Sequence, residues 1–180
     1  LIARGDAFTA LDDAAKATEA YQAALANQDK APGALLGLAR LAMVARDSAA
    51  ANGYLDQALA AHPKDPAVWM FKGAMMRAAG KPEQALAAYS QVITLKPDHM
   101  NALIERAHLN IDAGKYDAAK ADVAAARKAA PGALLISYTQ GFLGFKQGNF
   151  VPANESVQKV LRAAPDHMPA VLLAGAVALN

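Results

Sequence analysis

The apolar residues of 66–99 follow the pattern of two consecutive amphipathic helices. Trp69, Gly73 and Met76 are spaced by four and three residues, which places them on one face of a first helix. After a break at Gly80, a second stripe with helical spacing consists of Ala85, Tyr89, Val92 and Leu95. The segment therefore predicts a helix, a turn and a second helix.

The residues around these stripes predict where each helix begins and ends. Asp65 is a favourable N-cap, and Pro66 suits the first turn, where a missing N–H costs nothing. Gly80 suits a left-handed turn after the first helix. The second helix ends before Pro97, because a residue that precedes proline is disfavoured in the helical region.

The same pattern returns every 34 residues along the chain. The prolines that end the second helices are Pro63, Pro97, Pro131 and Pro165. Small residues recur in the first helices as Gly5, Ala39, Gly73, Ala107, Gly141 and Gly175. Larger apolar residues recur in the second helices as Tyr21, Leu55, Tyr89, Val123 and Val157. A fixed period of this length indicates stacked antiparallel helix pairs, an all-α fold of the α-solenoid class.

The period divides residues 1–180 into a single array of units. The full units are 32–65, 66–99, 100–133 and 134–167, with a partial unit at 1–31 and a lone first helix at 168–180. This division predicts eleven helices and no strand. Residues 169–179 are apolar on nearly all sides, so we expect this helix to dock on another copy, end to end or two-fold.

Composition narrows the classes of function. The chain is 54% apolar and 19% charged, which is enough to bury a continuous core. Its 18 basic and 16 acidic residues give a net charge of +2, too balanced for a nucleic-acid partner. No cysteine is present, which excludes disulfides and thiolate sites, and no apolar run is long enough to span a bilayer.

The small residues that recur at equivalent repeat positions are expected to allow close packing of the helices. Gly73 and Ala85 leave room for two helix backbones to approach, and a larger side chain there would overpack the contact. Trp69, with Tyr89 and Leu103, is expected to fill the wider parts of the same interfaces as core.

The order and spacing of Trp69, Gly73, Met76, Gly80, Ala85, Tyr89, Val92 and Pro97 resemble the tetratricopeptide repeat (TPR). The resemblance covers the whole chain. It implies a non-catalytic scaffold whose first helices line a concave groove for a protein or peptide. One departure is Arg46, which replaces the turn glycine of other units and predicts a tighter or strained turn.

The resemblance places a peptide-binding groove on the first helices. The candidate residues are Arg40, Met70, Phe71, Arg77, Ile104, Glu105, His108, Tyr138, Phe142 and Phe145. Met70, Ile104 and Tyr138 are equally consistent with packing between helices. The three phenylalanines are the better binding candidates, because exposed aromatic residues in a concavity mark interaction surfaces.

The known TPR clamp for acidic C-terminal peptides is absent. Its lysine positions are Ile2, Leu36, Met70, Ile104 and Tyr138 in this chain. Its asparagine positions are Asp6, Arg40, Ala74, His108 and Phe142. The composition suits an amphipathic helix or an extended apolar segment instead.

No pattern of enzymatic, metal or cofactor chemistry emerges. His99 and His167 occupy matching Pro-Asp-His-Met turns two repeats apart, so we expect each to cap the following helix rather than to share an ion. The glycines of 141–148 belong to the repeat columns and do not form a phosphate loop. The chain is predicted to be no enzyme and to need no cofactor or metal.

A narrower resemblance concerns the C-terminal part. Segments 128–132, 145–148, 164–169 and 172–177 are similar to the TPR-repeat lipoprotein of bacterial PEP-CTERM/exosortase systems. That resemblance implies a periplasmic scaffold for exopolysaccharide export, anchored to the membrane only through a lipid on a residue outside 1–180. The alternative is a cytoplasmic regulatory or co-chaperone module, or the TPR part of a larger enzyme.

Overall fold

The computed structural model describes residues 1–27 and 30–179. Over these residues the chain forms eleven α-helices and no strand. The helices are α1 (Ile2–Ala10), α2 (Ala14–Asn27), α3 (Pro32–Val44), α4 (Ser48–Ala61), α5 (Pro66–Ala78), α6 (Pro82–Leu95), α7 (Met100–Asp112), α8 (Tyr116–Ala129), α9 (Leu134–Lys146), α10 (Phe150–Ala163) and α11 (Met168–Ala178). The predicted all-α class and the eleven helices are confirmed.

The helices form two compact units, Leu1–Ala79 and Gly80–Asn180. In the first unit α1 packs on α2 and α3 on α4, while in the second α7 packs on α8 and α9 on α10. Each of these pairs is a helical hairpin with a short turn, the building block of an α-solenoid. The grouping of all the repeats into one array stays a prediction.

The helices begin where the repeat and the predicted capping residues place them. The side chain of Asp65 accepts a hydrogen bond from the Ala67 N–H at 2.8 Å, and Pro66 is the first residue of α5. The ring Nδ1 of His99 accepts from the Ala102 N–H at 3.2 Å, and that of His167 from the Ala170 N–H at 3.1 Å. The capping role predicted for both histidines is confirmed.

The turn at Arg46 keeps the geometry of the glycine turns. Arg46 has a φ of 60°, beside 68°, 71° and 76° at Gly80, Gly114 and Gly148. The Arg46 N–H donates to the Met43 carbonyl at 3.0 Å, and the Asp47 N–H donates to the Ala42 carbonyl at 2.8 Å. The same two hydrogen bonds close the turns after α7 and α9. The turn is therefore not tighter than the others, and a non-glycine residue carries the cost of the left-handed conformation.

Trp69 is half-buried rather than part of the core. Its indole N–H donates to the Pro63 carbonyl at 2.8 Å, and the Lys72 ammonium lies 4.9 Å from the ring centroid. The expectation of a core tryptophan is therefore wrong, because the ring spans the turn between α4 and α5. Tyr89 and Leu103 are buried as expected.

The ring of Tyr21 shows how closely the helices approach. Tyr21 is fully buried on α2, and its ring lies against the Cα positions of Gly5 on α1 and Gly37 on α3. A Cβ at either glycine would overlap ring atoms of Tyr21. The Tyr21 hydroxyl donates to a carboxylate oxygen of Asp6 at 2.7 Å, and burial raises the pKa of the phenol. The first three helices are thus held around one aromatic ring.

We predict that Gly37→Ala destabilises the protein by about 1–3 kcal/mol, because the added methyl group overpacks the contact with Tyr21. The control is Gly53→Ala in the middle of α4, where a Cβ meets no atom within 4 Å. That substitution should stabilise the protein by about 0.5–1 kcal/mol through helix propensity alone. Urea unfolding followed by circular dichroism measures both free energies. Two changes of the same sign and size would contradict the packing account.

Candidate functional site

The predicted groove residues of the first unit lie on α3 and α5. Arg40 and Arg77 are exposed, whereas Met70 and Phe71 are half-buried. Met70 and Phe71 are neighbours in α5, so their side chains point about 100° apart around the helix.

The second unit brings predicted residues from different helices into contact. His108 on α7 packs edge-on against two rings of α9, with centroids 6.3 Å from Tyr138 and 6.0 Å from Phe142. The Tyr138 and Phe142 rings are parallel, with an interplanar angle of 3° and centroids 6.5 Å apart. His167 at the start of α11 adds a ring 5.5 Å from Tyr138. We call these four residues the aromatic cluster.

A buried hydroxyl fixes the orientation of His108. Thr139 is fully buried, and its hydroxyl donates to the Leu135 carbonyl at 2.8 Å. The same hydroxyl is hydrogen-bonded to the His108 Nε2, which lies 3.0 Å away. This bond holds the imidazole against α9.

The surface of the cluster is apolar with a charged edge. Tyr138 and Phe142 are half-buried, and burial raises the pKa of the Tyr138 phenol, so it stays a hydrogen-bond donor at neutral pH. The Lys146 ammonium lies 5.4 Å from the centroid of the Phe142 ring, and Glu105 is half-exposed on α7. Such a surface offers stacking, one phenol donor and a cation to a ligand.

Two predicted groove residues have other roles in the structure. The side chain of Ile104 is 1% exposed and lies in the core formed by α7, α8 and α9. The prediction that Ile104 contacts a ligand is therefore wrong, because its side chain is buried between the helices. Phe145 is half-buried and packs against Phe150 at the start of α10, with centroids 6.1 Å apart.

Sequence reasoning missed two contributors to this region. Lys146 was not distinguished from its neighbours, and His167 was interpreted only as a helix cap. The repeated Pro-Asp-His-Met turn was the available signal for His167, since its cap position at the start of α11 brings the ring beside α9.

No arrangement for metal binding or membrane crossing occurs among the described residues. Groups of three or more histidine, aspartate or glutamate side chains close enough for an ion are absent from residues 1–27 and 30–179. None of the described helices has both the length and the apolar character needed to cross a bilayer.

Comparison with known proteins identifies the repeat. Sequence models of the tetratricopeptide repeat match residues 2–66, 36–99 and 76–136. The Protein CTR9 homolog of Arabidopsis thaliana is 25% identical over 131 residues, which are 72% of this chain and 12% of that protein. The chain thus spans a small part of this relative's length.

Solved structures show the same fold at low sequence identity. YrrB, described as a TPR protein with an unusual peptide-binding site, is 21% identical with a TM-score of 0.69 over 93% of this chain and 87% of its own. Yeast Tom70 is 17% identical with a TM-score of 0.83 over 98% of this chain and 39% of its own. These similarities, with the all-helical structure, confirm the α-solenoid class.

Proposed function

Because the chain belongs to the tetratricopeptide repeat family, we propose that it is a non-catalytic scaffold that binds an apolar peptide or an amphipathic helix of a protein partner. The observation that carries the proposal is the aromatic cluster of the second unit. Its parallel Tyr138 and Phe142 rings, half-buried and flanked by His108, offer an apolar surface on α7 and α9. Aromatic residues of this kind supply most of the binding free energy at peptide interfaces.

The contacts favour an apolar ligand over an acidic one at this surface. Lys146, a lysine beside the rings, already lies over Phe142. The clamp positions for an acidic C-terminus hold Ile104 and Tyr138 instead of lysine. An apolar side chain of the ligand is buried when it inserts beside Tyr138 and Phe142. The Tyr138 hydroxyl then donates a hydrogen bond to a backbone carbonyl of the ligand.

We predict that Phe142→Ser weakens binding of apolar peptides by about tenfold or more, because the ligand loses an aromatic partner. Ligands are selected from a library of random peptides displayed on phage, and their affinities are then measured by fluorescence anisotropy. Leu161→Ser is the matched control, since Leu161 is a half-buried apolar residue of α10 that packs on the same core as Phe142.

Thermal unfolding of both variants separates binding from folding. The proposal expects similar losses of stability and a loss of affinity only in Phe142→Ser. Equal losses of affinity in the two variants, or selected peptides without apolar residues, would contradict it.

We also propose that the exposed face of α11 joins copies of this chain end to end or two-fold. Leu173 and Val177 are buried against α10, while the opposite stripe is open: Met168 is 63% exposed, Leu172 67% and Leu179 88%. Met168 and Leu172 lie one turn apart on α11, and Leu179 follows seven positions later just after the helix, so the three form an apolar strip on one side. Such a strip favours association because burying it removes apolar surface from water.

Light scattering at increasing protein concentration tests this association. We predict oligomers for the wild-type chain and a monomer for Leu172→Lys, because a charge on the strip cannot be buried without a partner. Ala178→Lys, an exposed position on another side of α11, should leave the association unchanged. A wild-type chain that stays monomeric at high concentration contradicts the proposal.

The proposed setting is the periplasmic side of a bacterial envelope, with a lipid anchor, in an exopolysaccharide or PEP-CTERM export system. Its support is the resemblance of segments 128–132, 145–148, 164–169 and 172–177. The alternative is a cytoplasmic regulatory or co-chaperone module, or part of a larger enzyme. Labelling of the full-length protein with a radioactive fatty acid in its own cells decides between them, since only the lipoprotein incorporates the label.

A further inference from the structure

A second surface of the same unit lies between α8 and α10, with α9 as its floor. We call it the α8–α10 groove; its volume is about 680 Å³. The lining residues are Lys120, Val123, Ala124, Arg127, Lys128, Pro131, Gln140, Leu143, Gly144, Gln147, Asn149, Pro152 and Ser156. The groove therefore has a basic wall on α8, an apolar floor and a polar wall near α10.

The groove and the aromatic cluster occupy opposite faces of α9. With 100° per residue, Tyr138 and Phe142 point to one side of the helix, while Gln140, Leu143 and Gln147 point to the other. The groove and the aromatic cluster thus share no residue of α9.

The small residue Gly144 contributes to the shape of the floor. A Cβ at Gly144 would lie 3.2 Å from the Ala153 Cβ and 3.3 Å from the Asn149 carbonyl oxygen, so α10 sits close to α9 at this point. Beside it, the side chains of Val123 and Leu143 are only 4% and 6% exposed. The exposed Pro131 and Pro152 complete the apolar surface, so the floor is a formed concavity and not a loose gap.

The charge of the groove has one sign. Lys120, Arg127 and Lys128 line it, and no acidic residue is among its described lining residues. The Lys120 ammonium lies 3.7 Å from a carboxylate oxygen of the exposed Asp117 on α8. An adjoining cavity of about 390 Å³ shares Arg127, Pro131 and Gln140 and adds Lys159. In a chain of 18 basic and 16 acidic residues, this is a local excess of positive charge.

We propose that the α8–α10 groove binds an acidic peptide segment of a protein partner in an extended conformation. Carboxylates of the segment pair with Lys120, Arg127 and Lys128, while its apolar side chains contact the floor. The amide side chains of Gln140, Gln147 and Asn149 both donate and accept, which suits the N–H and carbonyl groups of a peptide backbone. This second site is independent of the aromatic cluster.

Peptide chemistry fits the groove better than the other polyanions. A nucleic acid requires a broad basic surface, whereas the chain as a whole carries a net charge of only +2. A bilayer surface is flat and does not fill a concave site between two helices. From Lys120 to Lys128 the helix rises about 12 Å, which an extended segment of about four residues spans.

The test uses the whole chain and a defined probe. The probe is a fluorescein-labelled peptide of about ten residues that alternates glutamate and leucine, so that in an extended conformation each residue type lies on its own side. We expect saturable binding by anisotropy that weakens with added salt, because the charge pairs lie near the surface. The same peptide with glutamine in place of glutamate should bind at least about tenfold more weakly.

The variants locate the binding. Arg127→Glu with Lys128→Glu should raise the Kd by about tenfold or more, whereas Lys115→Glu with Arg162→Glu, an equal charge change at exposed positions outside the groove, should change it by less than about threefold. The apolar peptides selected on the aromatic cluster should bind the Arg127→Glu and Lys128→Glu double variant as they bind the wild type, which separates a failure here from a failure of the apolar peptide site. In wild-type protein, titration with the probe should shift the amide resonances of Gly144 and Gln147, a measurement that needs no variant.

Four results would overturn the proposal. The first two are equal losses of affinity in the two double variants and equal binding of the glutamine and glutamate peptides. The third is that the Gly144 and Gln147 resonances do not shift at saturation. The fourth is tighter binding of a single-stranded RNA oligonucleotide or of anionic phospholipid vesicles than of the acidic peptide. The last result would assign the groove to another polyanion.

Discussion

The helices approach each other closely where a large side chain on one helix packs against a glycine, which has no side chain, on the next helix. Tyr21 on α2 lies against Gly5 and Gly37, and a methyl group at either glycine would occupy the volume of its ring. In the second unit Val157 on α10 has the same relation to Gly141 on α9, where an added Cβ would lie 2.6 Å from a Val157 methyl group. Protein interiors are packed too densely to absorb such a change without a shift of the helices.

This packing also determines what α9 presents on its two faces. The helix is held against α10 at Gly141, where the Val157 side chain packs, and at Gly144, which lies close to Asn149 and Ala153. One face carries the parallel rings of Tyr138 and Phe142. The other forms the floor of the α8–α10 groove beside a basic wall. A single helix of Leu134–Lys146 thereby separates an apolar surface from a positively charged one.

The sequence predicted the helices well because their signals are local and repeated. Asp65 and Pro66 at a helix start, and Gly80 at a helix end, act through the backbone within one turn. The need for a glycine at position 37 was not predictable from the residues at equivalent positions of the other repeats. Residues one repeat and two repeats later are Phe71 and Glu105, so the period gives no sign that this position must be small.

The site was less predictable because it depends on burial between helices. Ile104 and Tyr138 occupy the same repeat position, yet Ile104 is in the core and Tyr138 is half-buried in the aromatic cluster. The basic residues of α8 are ordinary surface residues in the sequence, and only their position beside α9 and α10 produces a groove. Periodicity identifies equivalent positions, while the neighbouring side chains decide which of them meet a ligand.

A double-mutant cycle between Tyr21 and Gly37 tests the packing account most directly. Tyr21→Leu removes the Cε1, Cε2 and Cζ atoms that a Cβ at position 37 would meet. We predict that Gly37→Ala costs less in the Tyr21→Leu background than in the wild type, by about 1 kcal/mol or more in the free energy of unfolding. The same cost in both backgrounds, within about 0.5 kcal/mol, would show that the ring does not set the distance between these helices.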